Sequence, residues 1–149
     1  MDSPNDKGGA DSSPARLLII EDDNVQHGLI GRIGSAAGFT PTVARSFDEA
    51  AALLRANTFD CITLDLSLRG AQSGTEVLRM LEGLHCKAPI VIVSGATGLQ
   101  LQLTSSIARS LKLNICESIP KPIDAALLRK TLAKIKTGLP RPAVTGSGA

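Results

Sequence analysis

Hydrophobic periodicity changes repeatedly along this chain, and that alternation restricts the fold more than any other feature. Short apolar or β-branched runs occur at residues 17–20, 40–44, 61–66, 89–93 and 115–119, each with the length and composition of a buried strand. Between them apolar residues recur at helical spacing. The first such stretch aligns Val25, Leu29, Ile33 and Ala36, and the second Phe47, Ala50 and Leu54. The third aligns Val77, Leu81 and Leu84, and the last Leu128, Leu132, Ile135 and Leu139. Ser46 with Glu49, and Ser73 with Glu76, stand at capping-box spacing, and Asp124 is placed to cap the last helix. Between residues 98 and 113, Leu99, Leu101 and Leu103 alternate as strand residues do, yet the segment's length and flanks favour a helix. Strands alternating with helices require right-handed crossovers and a parallel sheet covered on both faces. The expected fold class is α/β: a doubly wound five-stranded parallel sheet in a three-layer αβα sandwich.

A chain of 149 residues has room for one such domain, expected over residues 15–138 and without an effector domain of its own. Residues 1–14 and 139–149, rich in Gly, Pro, Ser and Asp or lacking apolar periodicity, are expected to be disordered tails. Sixteen basic and 14 acidic side chains leave a net charge of +2, too near balance to demand a polyanionic partner. Phe39, Phe47 and Phe59 are the only aromatic residues, so single-stranded nucleic acid would find few stacking platforms. Arg129, Lys130, Lys134 and Lys136 complement the dipole of the last helix, with no recognition helix beside them, which argues against direct nucleic-acid binding. There is no basic start followed by an apolar stretch, and the longest apolar run, 88–93, is far too short for a bilayer. The expectation is a cytoplasmic protein with no membrane association. Cys61, Cys86 and Cys116 are scattered and odd in number, as reduced thiols acting as small hydrophobes would be.

In doubly wound sheets the chemistry lies at the carboxyl ends of the strands. Here the first run ends in Glu21-Asp22-Asp23, the third in Asp65, the fourth in Ser94-Gly95 and the fifth in Lys121-Pro122. Taken singly, each has an ordinary reading: Asp65 as a loop starter, Asp23 or Asn24 as a helix cap, Ser94 as a satisfied hydroxyl, Lys121 as solvated surface. Together they gather carboxylates, a hydroxyl and an ammonium along one sheet edge. Clustered carboxylates repel unless a cation sits among them, and oxygen-only ligands suit Mg²⁺ or Mn²⁺. A metal, a lysine and a hydroxyl are three stabilisers for the oxygens of a transferring phosphoryl group, with Asp65 as nucleophile. Gly95 leaves room for the attack.

These residues, in this order and spacing from residue 17 to 138, resemble the receiver domain of two-component response regulators, of the stand-alone, single-domain type. The resemblance implies that Glu21 and Asp22 hold the metal, together with Asp65 and the backbone carbonyl of Ser67. It implies that Asp65 accepts a phosphoryl group from a histidine kinase or histidine phosphotransfer protein, with Ser94 as the switch hydroxyl and Lys121 as the family's lysine. The Lys121-Pro122 bond is then expected to be cis. Output would pass through protein contacts, and a homodimer would use the face of the fourth helix, fifth strand and fifth helix. Two departures bear on function. The loop after Asp65 has Arg69 where the family usually has proline, and one residue more before Gly74. Ser118 replaces the family's switch aromatic, which implies a weaker or differently routed response.

Three other readings compete. A phosphohydrolase with an aspartyl-phosphate intermediate needs a general acid, commonly an Asp two residues beyond the nucleophile, where this chain has Ser67. A flavodoxin-like cofactor binder would set a phosphate against Glu21-Asp22-Asp23, with no Tyr or Trp to stack on a flavin. A receiver-fold scaffold that is not phosphorylated is kept by Arg69, the longer loop and Ser118. His27 and His85 fall on expected helices away from the strand ends, and neither joins the site.

Overall fold

Three of the five runs are buried almost throughout, and those three are the inner strands. The computed structural model describes residues 14–68, 74–95 and 98–139. The strands are β1 (Ala15–Ile20), β2 (Phe39–Ala44), β3 (Cys61–Leu64), β4 (Ile90–Ser94) and β5 (Ile115–Pro120). The helices are α1 (Asn24–Ala36), α2 (Phe47–Ala56), α3 (Gly74–Gly83), α4 (Gly98–Ser110) and α5 (Ala125–Gly138). All strands pair in parallel in the order β2-β1-β3-β4-β5. Pro41, which has no N–H for a ladder, lies on edge strand β2, and the other edge, β5, exposes Glu117 and Ser118. The segment 98–110 is helical despite its alternating leucines, because its buried residues are Thr104 and Ala108, one turn apart, while Leu99 and Leu103 face solvent.

Strand parity divides the interior into two layers. Leu18, Ile20, Ile62, Leu64, Ile90 and Ile92 pack with Ala50, Val77, Leu78, Leu81 and Ala108 from α2, α3 and α4. Leu17, Ile19, Cys61, Val91, Val93 and Ile119 pack with Ile30, Ile33, Leu128 and Leu132 from α1 and α5. Each fully buried Leu or Ile contributes about 1.5–3 kcal/mol by leaving water, which is why an apolar run of four is enough to fix a central strand. The helix caps follow their spacing: Ser46 Oγ accepts from Glu49 N at 3.1 Å, and Asp124 Oδ1 accepts from Leu127 N at 3.1 Å. Ser73 lies outside the described residues, as do Arg69, Gly70 and the 1–13 and 140–149 tails.

Three expectations need correction. The buried residues of α1 are Ile30, Ile33 and Gly34, whereas Val25 is 75% exposed and Ala36 also faces solvent. Gly34 is pressed so closely on β1 that an added Cβ would lie 2.6 Å from Leu17 Cδ2, and the helix is rolled to bring that bare position inward. Leu84 falls in the turn after α3 at 39% exposure, and Leu78 is buried in its stead. His85 also lies beyond α3, at φ 56°, so it is a turn residue. Of the thiols, Cys61 is buried, Cys86 half-buried and Cys116 exposed. Burial pushes the Cys61 thiol up to about 12, so it is inert as well as apolar.

The glycines of α1 can be separated by experiment. At Gly28 a Cβ would meet only Arg32 Nη1, at 3.8 Å. Gly28→Ala is expected to stabilise the fold by about 0.5–1 kcal/mol, through helix propensity. Gly34→Ala is expected to destabilise it by about 1–3 kcal/mol, through overpacking. Thermal unfolding of both variants checks the pair, and shifts of the same sign would contradict the packing described.

Candidate functional site

The sheet's hydrogen-bond ladders run one step past the strands and so place the polar residues. Asp65 N donates to Ile20 O at 3.0 Å, Glu21 N to Ala44 O at 3.0 Å, and Lys121 N to Ser94 O at 3.2 Å. Glu21, Asp65 and Lys121 thereby continue the odd-numbered sets of β1, β3 and β5, on the side covered by α1 and α5. They also straddle the point where the chain, having stepped from β1 out to β2, returns to β3 on the opposite side of β1. Open α/β sheets form a crevice at such a reversal.

The side chains converge there. Lys121 Nζ lies 2.7 Å from Glu21 Oε1 and 3.4 Å from Asp65 Oδ2. Asp65 Oδ1 accepts from Ser67 N at 2.9 Å, and Glu21 Oε2 accepts from Asp23 N at 3.2 Å. Carboxylate oxygens of Glu21, Asp22 and Asp65 lie within 4.8 Å of one another. Glu21 is 1% exposed, Asp65 4% and Ser94 3%. Ser94 closes β4 on the even-numbered parity, and the Lys121-Pro122 peptide bond is cis. The Asp23 side chain is used elsewhere, its Oδ1 capping α1 by accepting from Gln26 N at 2.9 Å. The acidic triplet therefore splits, with two carboxylates in the cluster and one at the helix terminus. What spacing did not reveal is that Lys121 pairs more closely with Glu21 than with Asp65.

Among the described residues, Lys121 is the cation that the geometry sets against Glu21 and Asp65. Burial raises the Glu21 carboxyl above its ordinary 4.5; the hydrogen bond from Lys121 opposes this, and the Asp65 charge adds to it. For Lys121, burial lowers the ammonium's affinity for its proton, but the Glu21 hydrogen bond and the two carboxylate charges outweigh it and raise the pKa. The two directions agree physically: Glu21 is buried beside a like charge, and the one-fifth-exposed lysine faces two opposite charges. Hard oxygen donors this close, three carboxylates near one ammonium among the described residues, suit a small divalent cation such as Mg²⁺. Thiols and imidazoles are absent from the cluster, which removes the donors that softer metals prefer.

A raised acid contributes stability only below its unfolded pKa, and that contribution is lost as pH rises through the folded value. At neutral pH the charged Glu21 therefore costs the metal-free fold stability. Glu21→Gln is expected to raise the melting temperature of the metal-free protein by a few degrees. Mg²⁺ is expected to raise the melting temperature of the wild type and not that of the variant. A lower melting temperature in the variant, or an unchanged response to Mg²⁺, would contradict this electrostatic account.

The family model of the response regulator receiver domain matches residues 17–133, from β1 into α5. The nitrogen assimilation regulatory protein NtrX of Azorhizobium caulinodans is 28% identical over 110 residues, 73% of this chain and 23% of that protein. The cell cycle response regulator CtrA of Brucella ovis is 35% identical over 85 residues, 57% of this chain and 36% of CtrA. The chain thus spans about a quarter to a third of the curated relatives it matches. A response regulator structure from Colwellia psychrerythraea has a TM-score of 0.72 at 23% identity, covering 84% of this chain and 98% of that one. A response regulator from Burkholderia pseudomallei, solved with a phosphorylated aspartic acid, a calcium ion and citrate, has a TM-score of 0.67 at 26% identity, covering 83% and 69%. The chain belongs to the response regulator receiver domain family of two-component systems.

Proposed function

We propose that this chain accepts a phosphoryl group on Asp65 from a phosphohistidine of a histidine kinase or histidine phosphotransfer protein. A carboxylate oxygen of Asp65 attacks phosphorus as the P–N bond breaks, and the imidazole leaves with the electron pair. The products are an acyl phosphate and a free histidine. One observation carries the reading: Asp65 is almost buried yet held at both oxygens, by Ser67 N and by Lys121 Nζ, beside the carboxylates of Glu21 and Asp22. A nucleophile fixed in this way has surrendered its orientational entropy before the donor arrives.

Mg²⁺ or Mn²⁺, held by Glu21, Asp22, Asp65 and the Ser67 carbonyl, would neutralise charge on the transferring group. Lys121 supplies a second positive charge at the same place, and Ser94 a hydroxyl donor. Among the proteins it resembles, the Burkholderia response regulator carries a phosphorylated aspartic acid together with a calcium ion, which supports the same pairing here. On this reading the chain is a phosphoacceptor without a substrate turnover of its own. The apolar side chains that α4 and α5 offer to a partner or a second copy are Leu99, Leu103 and Leu127. Ser118, exposed on β5 opposite Ile92, lacks the bulk to couple Ser94 to that face, so the response to phosphorylation is weaker or differently routed than with an aromatic there. No helix among the described residues is long and apolar enough to cross a membrane.

Incubation with Mg²⁺ and acetyl phosphate, followed by intact mass measurement, tests the reading. A single phosphoryl adduct is expected on the wild type, absent from Asp65→Asn and abolished by a chelator. Wild type without an adduct favours the scaffold that is not phosphorylated, and an adduct persisting in Asp65→Asn would place the nucleophile elsewhere.

A further inference from the structure

Gly74 opens α3 immediately beyond the loop that leaves Asp65. A Cβ built there would lie 2.5 Å from Leu66 Cα, 3.0 Å from Leu66 O and 3.1 Å from Leu66 C. Among the described glycines this is the one whose Cβ would meet backbone within 3.4 Å; at Gly34 and Gly38 the close neighbours are side-chain carbons. A rotamer change can relieve those contacts, but only movement of the chain relieves the one at Gly74.

The element that would move can be identified. Val77, Leu78 and Leu81 anchor α3 in the core at 0% exposure, so the helix is held along its inner face. On the other side of the contact is the turn at Leu66 and Ser67, where Leu66 and Leu68 are covered less completely, at 5% and 7% exposure, and Ser67 is exposed. Displacing Leu66 carries Ser67 N away from Asp65 Oδ1, since the two residues are adjacent and the hydrogen bond spans only 2.9 Å. We propose that Gly74 is a positioning residue for the acceptor carboxylate: its missing side chain lets the first turn of α3 brace the Leu66 backbone, and this brace holds the Ser67 N–H on Asp65. The consequence for phosphoryl transfer rests on the function proposed above; the brace itself does not.

The test pairs Gly74→Ala with Gly83→Ala, at the other end of the same helix, where an added Cβ meets nothing within 4 Å. In metal-free protein the Ser67 amide resonance reports the hydrogen bond directly. It should shift upfield in Gly74→Ala and stay in place in Gly83→Ala. The rate of adduct formation with acetyl phosphate should fall about tenfold or more in Gly74→Ala alone, the scale expected when a reacting group is slightly misplaced. Val77→Ala gives α3 room to recede, so Gly74→Ala/Val77→Ala should match Val77→Ala in both readouts, and this comparison serves if the single variant does not fold. A Gly74→Ala protein that melts lower but keeps the wild-type Ser67 resonance and rate would overturn the proposal, as would a folded double variant whose resonance stays displaced. A wild type that forms no adduct would sink the proposed function, while the Ser67 resonance would still decide the role of Gly74.

Discussion

Two buried carboxylates share one ammonium at the carboxyl edge of this sheet, and the rest of the site depends on that imbalance. Lys121 bridges Glu21 and Asp65, with Asp22 close enough to complete a three-carboxylate cluster. Water would normally dilute such repulsion, but Glu21 and Asp65 are almost fully covered. In lower dielectric the like charges interact more strongly, and among the described residues Glu21 and Asp65 share the Lys121 ammonium. The fold therefore tolerates a local cost that a small divalent cation would remove. A site built in this way is poor for stability and suited to holding a cation beside Asp65.

The cost is sustained by the sheet. β1 from Leu17 onward, β3 and β4 are buried on both faces, and their ladders fix where the chain leaves the sheet. Because Ile20 pairs with Leu64, Glu21 and Asp65 must leave the sheet side by side. Because Ser94 pairs with Pro120, Lys121 follows from the adjoining edge. Parity places all three odd-numbered residues on the side covered by α1 and α5. The carboxylates are near one another because the ladders set the register, and a one-residue slip would move every core residue of a strand to the opposite layer.

Much of this was legible in the sequence. Short apolar runs marked the strands, and Glu21, Asp65 and Lys121 at their carboxyl ends marked the candidate site. Capping patterns located α2 and α5 because those bonds are local. The less legible features depend on partners distant in sequence. Nothing near Val25 shows that it lies on the solvent side of α1, because the deciding contact is Gly34 against Leu17. Gly74 and its contact with Leu66 are similarly silent, since a glycine presents no side chain from which a neighbour could be inferred. The preference of Lys121 for Glu21 over Asp65 is a matter of 2.7 Å against 3.4 Å, which spacing along the chain cannot specify.

The central claim is that Glu21, Asp22 and Asp65 together hold a divalent cation at the edge formed by β1 and β3. Mn²⁺ can take the oxygen ligands that suit Mg²⁺, and its unpaired electrons broaden nearby amide resonances steeply with distance. Titrating Mn²⁺ into the ¹⁵N-labelled protein should first broaden the amides of Glu21, Asp22, Asp23, Asp65, Leu66 and Ser67. Those of Arg16, Cys61 and Ile90, at the opposite ends of β1, β3 and β4, should broaden later and less, and excess Mg²⁺ should restore the lost signals. Broadening centred elsewhere, or spread evenly over the exposed acidic residues, would contradict the account.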